Sequence, residues 1–379
     1  MSRDALAAYD ALTGGLSQPV RVDELCRRAG ARWPGLLPGA AGLAAEAPLM
    51  QRDKKGLEKA YGRFLGAVLA DPRCGTHLVH CMLLPRADSA RHLEEFEAQG
   101  TLELAGACVH REGKAVVVTM RNPRFLNAED ETTLDGLEIA VDVALLDRQS
   151  ELCLLRGDTV THTKHAGKRV FGAGINLTHL YQGKIRYLWY LIRDLGLVNK
   201  LYRGLARPGV HPEEDSIEKP WVAAVESFAI GGHCQILLTM DYVLAAQDAY
   251  MTLPARKEGI IPGAANLRLP RFVGPRIARQ AILAGRRLDC DSPEGRMICD
   301  EIVPVGGMDA AIARTISNLT DSGVVSAAGN RRALRSGEEP LDEFRRYMAV
   351  YAREQAVCHF SPALIANLEK HWDAANRRG

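Results

Sequence analysis

The chain contains, at residues 225–238, the stretch VESFAIGGHCQILL, in which a β-prone run, two glycines and an apolar run follow one another. The first run predicts a buried strand, and the last predicts a helix that begins at Gly231 and Gly232. The first amides of a helix have no partner within it, and the helix dipole favours negative charge at that end. This order predicts that the Gly232 N–H binds an anion.

A second glycine-containing turn precedes this stretch, at residues 171–177, with the sequence FGAGINL. Gly172 and Gly174 permit a tight turn, in which the Ile175 amide can face a ligand instead of joining a strand ladder. The dinucleotide-binding fingerprint requires a third glycine where Leu177 stands, and no P-loop lysine follows. Taken alone, this segment is as consistent with an ordinary turn as with a binding site.

The composition of the 379-residue chain is that of a globular enzyme, with 47% hydrophobic and 25% charged residues. The net charge is +2 and no basic run has interleaved aromatics, so we expect no nucleic-acid partner. The nine cysteines form no CxxC pair, and no HExxH or 2-His-1-carboxylate pattern occurs, so we expect reduced thiols and no metal site. The N-terminus lacks a signal-peptide core, and residues 221–246 are too polar for a bilayer span. We therefore expect a cytoplasmic protein without a membrane segment.

The hydrophobic pattern divides the chain into three parts. Residues 1–102 are rich in Ala, Leu and Arg at helical spacing and predict an all-helical N-terminal segment. Residues 103–305 alternate β-prone and helical runs, which predicts an α/β core with covered sheet faces and the active site. Residues 306–379 are helical again and predict a C-terminal helical region.

Several elements within these parts are specified by local signals. A helix is expected from Asp53 to Ala70, a hairpin over 107–120, and a further helical segment from Asn127 to Asp147. Ser361 and Pro362 suit the cap and first turn of the last helix. The polar stretch 202–220 predicts a surface loop, with a mobile lid as the less favoured alternative.

The two glycine turns resemble those of the crotonase (enoyl-CoA hydratase/isomerase) superfamily, in which AG-x-[DN]-L and GG-x-C segments supply two oxyanion amides. A third stretch, LPARKEGIIPGA at residues 253–264, is similar to the P-E-x-x-x-G-x-x-P-G segment of that family. The resemblance covers residue 103 to the C-terminus. It implies a crotonase (ClpP-like) spiral of ββα repeats, extended by the N-terminal helices, and C-terminal helices that assemble trimers or dimers of trimers. It also implies that the amides of Ile175 and Gly232 bind the oxygen of a coenzyme A thioester.

Two departures from the family pattern narrow the chemistry. Hydratases of the superfamily carry glutamates where this chain has Gln235 and Ala255, and neither of these side chains transfers a proton. General acid and base groups contribute roughly 10²- to 10⁴-fold each, so hydration of an enoyl thioester is disfavoured. Stabilisation of an enolate remains, since two oxyanion donors at about 3 to 4 kcal/mol each lower the pKa of an α-proton by about four to six.

These departures, the helical N-terminal segment and the FGAGINL turn are together similar to a cofactor-independent, oxygen-using branch of the superfamily, which supplies dihydroxyphenylglycine for glycopeptide antibiotics. The resemblance implies that the enolate of an aryl-acetyl-CoA, (3,5-dihydroxyphenyl)acetyl-CoA, reacts with O₂ as co-substrate. Its implied products are 3,5-dihydroxyphenylglyoxylate and free CoA, which is part of the substrate. It also implies that no metal, flavin or other cofactor takes part.

The resemblance assigns roles to particular residues. Its expected site residues are, for catalysis, Ile175, Gly232 and Gln235; for substrate binding, Glu129, Arg193, Gly174 and Gly231; and for a dry oxygen pocket, Leu177, Ala255 and Ile261. A helix first-turn carboxylate and a solvated charge are the ordinary alternatives for Glu129 and Arg193, and core packing accounts for each pocket side chain equally well. Cys234 and His233 are expected to be packed side chains instead of a nucleophile and a base.

Two other functions stay open at this point. A non-oxidative enzyme with the same oxyanion hole would be an isomerase, decarboxylase or thioesterase, and O₂ uptake separates it from a dioxygenase. A catalytically silent acyl-CoA-binding protein would turn over no thioester, although such a protein need not keep the four glycines of the two turns. The motifs do not identify the base that removes the α-proton.

Overall fold

The computed structural model describes residues 2–321 and 324–377. In the described part of the chain, six α-helices precede the first strand: α1 (Ser2–Leu12), α2 (Val22–Arg32), α3 (Ala40–Glu46), α4 (Lys59–Ala70), α5 (Pro72–Leu83) and α6 (Ser89–Gln99). Asp71 ends α4 and caps α5, because its carboxylate accepts a hydrogen bond from the Cys74 amide at 2.9 Å. Pro72 is the first residue of α5, where its missing N–H costs nothing.

The helix expected from Asp53 is wrong in its first part, since α4 begins only at Lys59. Gly56 has a φ of +80°, and a Cβ there would lie 3.1 Å from the Phe360 ring. The chain therefore turns at Gly56 against the C-terminal region before the helix starts.

Twelve strands follow within the described residues: β1 (Thr101–Leu104), β2 (Ala107–Glu112), β3 (Ala115–Met120), β4 (Leu152–Gly157), β5 (Leu205–Ala206), β6 (Ser216–Ile217), β7 (Trp221–Val225), β8 (Phe228–Ile230), β9 (Tyr242–Ala246), β10 (Tyr250–Thr252), β11 (Leu288–Asp289) and β12 (Glu301–Val303). The main sheet has seven strands in the order β1-β2-β3-β4-β7-β9-β12. The hairpin of β2 and β3 is antiparallel, as expected, and β3, β4, β7, β9 and β12 run parallel. Strands β3 and β7 are buried along their whole length, which explains their continuous apolar sequences.

A second, smaller layer runs beside the main sheet. It contains β8, β10 and β11, and β8 pairs in parallel with β10. Isolated pairings extend it, joining Gly172 to Ala229 and Glu129 to Ile175. The chain thus passes from a main-sheet strand to the small layer and then to a helix, as in β7, β8 and the helix from Gly232. This is the ββα order that the family resemblance implies.

Helices cover the sheets and form the C-terminal part. Those of the core are α7 (Leu134–Leu146), α8 (Leu177–Tyr181), α9 (Tyr187–Ile192), α10 (Asn199–Arg203), α11 (Gly232–Leu237), α12 (Ala255–Glu258) and α13 (Ala265–Ala284), and those after it are α14 (Met308–Leu319), α15 (Val324–Glu338), α16 (Leu341–His359) and α17 (Pro362–Trp372). A π-helical turn, Arg193–Val198, joins α9 to α10, and α13 bends at Gly274. Single 3₁₀ turns occupy Gln51–Asp53, Pro123–Phe125, Thr163–His165, Gly295–Met297 and Ala374–Asn376.

The expected helix from Asn127 begins instead at Leu134. Asn127 has a φ of +56°, and its side-chain amide donates to the carbonyls of Asp158 and Val170, both at 2.8 Å. This turn leads the chain into the small layer before α7 starts. The polar stretch 202–220 contains the short antiparallel pair β5 and β6, and its longest irregular part is residues 207–215.

The N-terminal and C-terminal helices pack closely together. A Cβ on Gly62 of α4 would lie 2.5 Å from the Ala356 Cβ and 2.8 Å from the Ala352 carbonyl oxygen of α16. One hydrophobic cluster extends from Ala5 to Ala374, so the N-terminal helices share the core of the molecule. Ser361 caps α17 as expected, accepting from the Ala363 amide at 3.2 Å. Among the described helices, none combines the length and apolar character that crossing a bilayer requires.

Candidate active site

The first glycine turn places the Ile175 amide away from its neighbouring strand. The Glu129 N–H donates to the Gly174 carbonyl at 2.8 Å, and the Asn176 N–H donates to the Glu129 carbonyl at 2.8 Å. Successive amides of an extended segment point to opposite sides, so the Ile175 N–H points away from Glu129. Across the described residues it has no hydrogen-bond acceptor.

The second glycine turn likewise leaves the Gly232 amide without a hydrogen-bond acceptor. Gly231 has a φ of +55°, and its N–H donates to the Thr252 carbonyl at 2.8 Å. The first bond of α11 runs from the Gln235 N–H to the Gly231 carbonyl at 3.1 Å. Gly232 is the first residue of that helix, and its N–H meets no acceptor within residues 2–321 and 324–377.

The two turns touch one another. A Cβ on Gly174, whose φ is +79°, would lie 3.2 Å from the Gly232 nitrogen and 2.8 Å from the Ile230 carbonyl oxygen. Ile175 and Gly232 both line one narrow cavity of about 20 Å³. Its other lining residues include Trp189, Tyr190, Leu253, Glu258, Ile260 and Tyr351. Two amides without acceptors therefore border the same cavity, which is one requirement of an oxyanion hole.

Arg193, the first residue of the π-helical turn, ties the site together. Its guanidinium donates twice to the Glu129 carboxylate, at 2.7 and 2.9 Å, and once to the Gly232 carbonyl at 2.8 Å. It also donates to Asp194 at 2.9 Å and to the Gln235 side-chain oxygen at 3.0 Å. The Arg193 side chain is 3% exposed, so these bonds replace its hydration. Arg193 thus holds the first turn of α11 beside the cavity.

The structure brings most of the expected site residues to this cavity. The residues that line it are Ile175, Arg193, Gly231, Gly232, Gln235, Ala255 and Ile261. Leu177 does not line it, because its side chain packs against the hydrophobic core at the start of α8. Gly174 and Glu129 do not line it either, and the Glu129 carboxylate is paired with Arg193.

His233 and Cys234 are packed side chains, as expected. The His233 Nδ1 accepts from the Gly174 N–H at 2.9 Å, and burial lowers the pKa of His233 to about 4. A Cβ on Gly172 would overlap that ring at 2.2 Å, so the glycine provides the space for it. Burial raises the pKa of Cys234 to about 12, which leaves it a thiol at neutral pH.

Glu258 is the feature of the cavity that the sequence analysis missed. It is 4% exposed and lines the cavity from α12, three residues after Ala255. Residues three apart on a helix share a face, so an acidic residue at this spacing was a usable signal. Within the described residues no group of three or more His, Cys, Asp or Glu side chains is placed to hold a metal ion.

The sheet, the small layer and the two glycine turns define an enzyme of the crotonase type. The chain belongs to the enoyl-CoA hydratase/isomerase family, whose model matches residues 110–346. It is 47% identical, over 361 residues, to the (3,5-dihydroxyphenyl)acetyl-CoA 1,2-dioxygenase of Amycolatopsis orientalis, a match that covers 95% of this chain and 82% of that protein. It is 26% identical to a short-chain-enoyl-CoA hydratase of Clostridium acetobutylicum, over 62% of this chain and 83% of the hydratase.

Solved structures agree on the fold. An enoyl-CoA hydratase from Mycobacterium avium subsp. paratuberculosis K-10 superposes with a TM-score of 0.58 at 22% identity, covering 70% of this chain and 98% of that one. An enoyl-CoA hydratase/isomerase from Xanthobacter autotrophicus Py2 superposes with a TM-score of 0.58 at 21% identity, covering 73% of this chain and 100% of that one. The predicted crotonase fold is confirmed. The dioxygenase match, which spans 95% of the chain, also includes most of the N-terminal helices.

Proposed function

We propose that this protein is a dioxygenase that converts (3,5-dihydroxyphenyl)acetyl-CoA and O₂ to 3,5-dihydroxyphenylglyoxylate and free CoA, without a metal or an organic cofactor. The observation that carries the proposal is the pair of acceptor-free amides, Ile175 and Gly232, on a cavity where Gln235 and Ala255 replace the two hydratase glutamates. The 47% identity with a dioxygenase of that name, over nearly the whole chain, supports the substrate.

The first step is formation of the thioester enolate. Loss of one α-proton moves the electron pair of the C–H bond into the thioester, and the charge collects on the carbonyl oxygen. The Ile175 and Gly232 amides donate to that oxygen, and each donor is worth about 3 to 4 kcal/mol. The aryl ring acidifies the same benzylic carbon, and Trp189 and Tyr190 in the cavity wall offer aromatic faces to it.

The second step is the reaction of the enolate with O₂. One electron passes to O₂, and combination of the two radicals forms a bond between the α-carbon and oxygen. The resulting peroxide attacks the thioester carbonyl and expels CoA thiolate, which closes a four-membered peroxylactone. Loss of the second α-proton breaks the O–O bond and gives the keto and carboxylate groups. Both oxygen atoms of O₂ therefore enter the product.

One part of the cavity wall is apolar. Ile175, Ala255 and Ile261 line it, and Ala255 places a methyl group where a hydratase has a carboxylate. Apolar walls favour O₂ over water, and they strengthen the oxyanion hydrogen bonds by lowering the local dielectric. We assign the oxygen pocket to these three side chains. The earlier assignment of Leu177 has no support from the cavity lining.

We also propose an organisation for the whole protein. Residues 103–305 form the catalytic core, residues 1–102 are a helical addition, and the helices of 306–379 assemble the chain into a trimer or a dimer of trimers. The exposed apolar side chains of the C-terminal part support this assembly. The nine cysteines are free thiols, which suits the reducing cytoplasm.

The test is turnover of (3,5-dihydroxyphenyl)acetyl-CoA under ¹⁸O₂ by protein from which metals have been removed. We expect one O₂ consumed per CoA released, and two ¹⁸O atoms in the ketoacid by mass spectrometry. Release of CoA with no O₂ uptake would show a non-oxidative enzyme of the same fold. Restoration of activity only by an added metal would overturn the cofactor-free part of the proposal.

A further inference from the structure

Glu258 has an unusual environment for a carboxyl group. It is 4% exposed, yet across the described residues its side chain makes no hydrogen bond and no ion pair. Its two oxygens lie 3.8 and 3.9 Å from the position of a Cβ built on Gly231. Gly231 directly precedes the oxyanion glycine, so the carboxyl lies at the edge of the oxyanion hole and borders its cavity.

No neighbouring charge explains the burial of this carboxyl. Tyr190 of α9 and Tyr351 of α16 line the same cavity, and on the π-helical turn Arg193 and Asp194 pair with each other. The two cationic residues of its own helix, Arg256 and Lys257, are exposed to solvent. Burial without a compensating cation raises the pKa of Glu258 to about 7. A buried carboxyl that serves structure alone is normally hydrogen-bonded or paired.

We propose that Glu258 is the acid–base group of this site: its carboxylate removes the first α-proton of the bound thioester, and the resulting acid protonates the departing CoA thiolate. The carboxylate so regenerated then removes the second α-proton as the O–O bond breaks, and later loses it to solvent. One α-hydrogen thus ends on the CoA thiol and the other in water, and the ketoacid leaves as its carboxylate. This inference rests on the proposed function and supplies the base that Gln235 and Ala255 cannot provide.

The position and the acidity of Glu258 suit both halves of this role. A group with a pKa near the working pH is present as base and as acid in comparable amounts. The oxyanion amides and Glu258 lie on the same small cavity, so charge forms on the thioester oxygen while the proton moves to the neighbouring carboxyl. Removal of the charge by Glu258→Gln, with the shape kept, should therefore act on proton transfer and leave binding largely intact.

The experiment separates proton abstraction from oxygenation. Full-length protein and its Glu258→Gln variant are incubated without O₂ in D₂O with (3,5-dihydroxyphenyl)acetyl-CoA, and deuterium at the α-carbon is followed by mass spectrometry. We expect the variant to exchange at least about 100-fold more slowly, the usual lower bound for loss of a general base. Glu258→Asp should recover part of the rate. Glu46→Gln, the same change at a buried carboxyl outside the cavity, is the matched control and should exchange like the unaltered protein.

The pH profile and O₂ uptake distinguish the possible failures. In the unaltered protein the exchange rate should rise with pH through an apparent pKa near 7. The rate of Glu258→Gln should not show this rise. A Glu258→Gln variant that exchanges as fast as the unaltered protein would overturn the inference, whatever the oxygen chemistry. Rapid exchange by the unaltered protein with no O₂ uptake would instead overturn the proposed function and leave the role of Glu258 standing.

Discussion

Gly174 is in contact with the Gly232 amide of the proposed oxyanion hole. A methyl group there would lie 3.2 Å from the Gly232 nitrogen and 2.8 Å from the Ile230 carbonyl oxygen, so it would displace that amide. Gly174→Ala should therefore lower kcat by about 10²- to 10³-fold, the range seen when one oxyanion donor is lost. Steady-state O₂ uptake with the aryl-acetyl thioester measures kcat of the variant.

Gly167 provides the control for backbone strain. It has the same φ of +79°, but no atom lies within 4 Å of a Cβ built on it. Gly167→Ala thus carries a comparable backbone cost without displacement of the Gly232 amide. We expect it to lower the thermal midpoint modestly and to keep kcat. Equal losses of kcat in both variants would mean that strain, not displacement of the amide, explains the effect of Gly174→Ala.

The raised pKa of Glu258 also has a consequence for stability. Burial raises it from 4.5 to about 7, so the folded state disfavours the ionised form. Below pH 4.5 the group is protonated in both states and costs nothing, whereas above pH 7 the penalty is fully present. Stability should therefore fall between pH 4.5 and 7 by roughly 3 kcal/mol from this group alone.

Glu258→Gln removes the ionisable group, so the test compares the pH dependence of stability in the variant with that in the unaltered protein. The change in the free energy of unfolding between pH 4.5 and pH 8 should be smaller in the variant by about 2 to 3 kcal/mol, measured by denaturant titration. The cost of burying the glutamine side chain is the same at both pH values, so it cancels in that comparison. The same pH dependence in both proteins would show that the carboxyl keeps an ordinary pKa when folded.

At the scale of elements, the contact of α4 with α16 joins the two ends of the chain. Gly62 leaves no room for a side chain, because its Cβ would stand 2.5 Å from that of Ala356. Gly62→Ala should force the helices apart and cost about 1 to 3 kcal/mol of folding free energy. Since α16 also carries Tyr351 to the cavity wall, kcat should fall as well.

Gly329 of α15 is the matched helix glycine, with no atom within 4 Å of its Cβ position. Gly329→Ala should be neutral or should stabilise by about 0.5 to 1 kcal/mol, as alanine does in open helix positions. Chemical unfolding of both variants tests the pair. A Gly62→Ala protein as stable as the unaltered one would show that α4 and α16 are free to separate.

The elements that the sequence predicts correctly are those with local signals. The hairpin of β2 and β3 has a short turn between two β-prone runs, and α11 follows two glycines. The turns at Gly56 and Asn127 were missed because their causes are distant: the first lies against Phe360, and the second donates to Asp158 and Val170. Sequence periodicity carries no information on such contacts.

The candidate site also has parts that local sequence signals predict and parts that depend on distant contacts. The two glycine turns are recognisable because each motif is contiguous. The hydrogen bond from Arg193 to Glu129 joins residues 64 positions apart, and neither residue type predicts that contact. Glu258 follows Arg256 and Lys257, so its sequence surroundings resemble those of an exposed helix charge. Its spacing of three residues from Ala255 is the local signal that it faces the site. The fold shows that it turns inward while its two neighbours face solvent.

At the scale of the whole molecule, the remaining exposed apolar surface is unevenly distributed. Among the described residues the large hydrophobic side chains that stay exposed are Leu283, Met297, Val305, Leu319, Val325, Leu334, Val350 and Val357. All of them lie in the last 100 residues, and Val325 on α15 is 85% exposed. Five of them lie on the C-terminal helices α14, α15 and α16, where an assembly through these helices would cover them. The occupant that we propose is a second copy of this chain.

The solution mass tests this assembly. The chain weighs 41.4 kDa, and we expect light scattering to give three or six times that mass at micromolar concentration. Val325→Asp with Leu334→Asp places two charges on exposed positions of α15, so it should leave the folded subunit intact. If α15 lies in the interface, burying unpaired carboxylates there is unfavourable, and the mass should fall toward that of one chain. A single-chain mass for the unaltered protein would refute the assembly, and an unchanged oligomer in the double variant would place the interface on another helix.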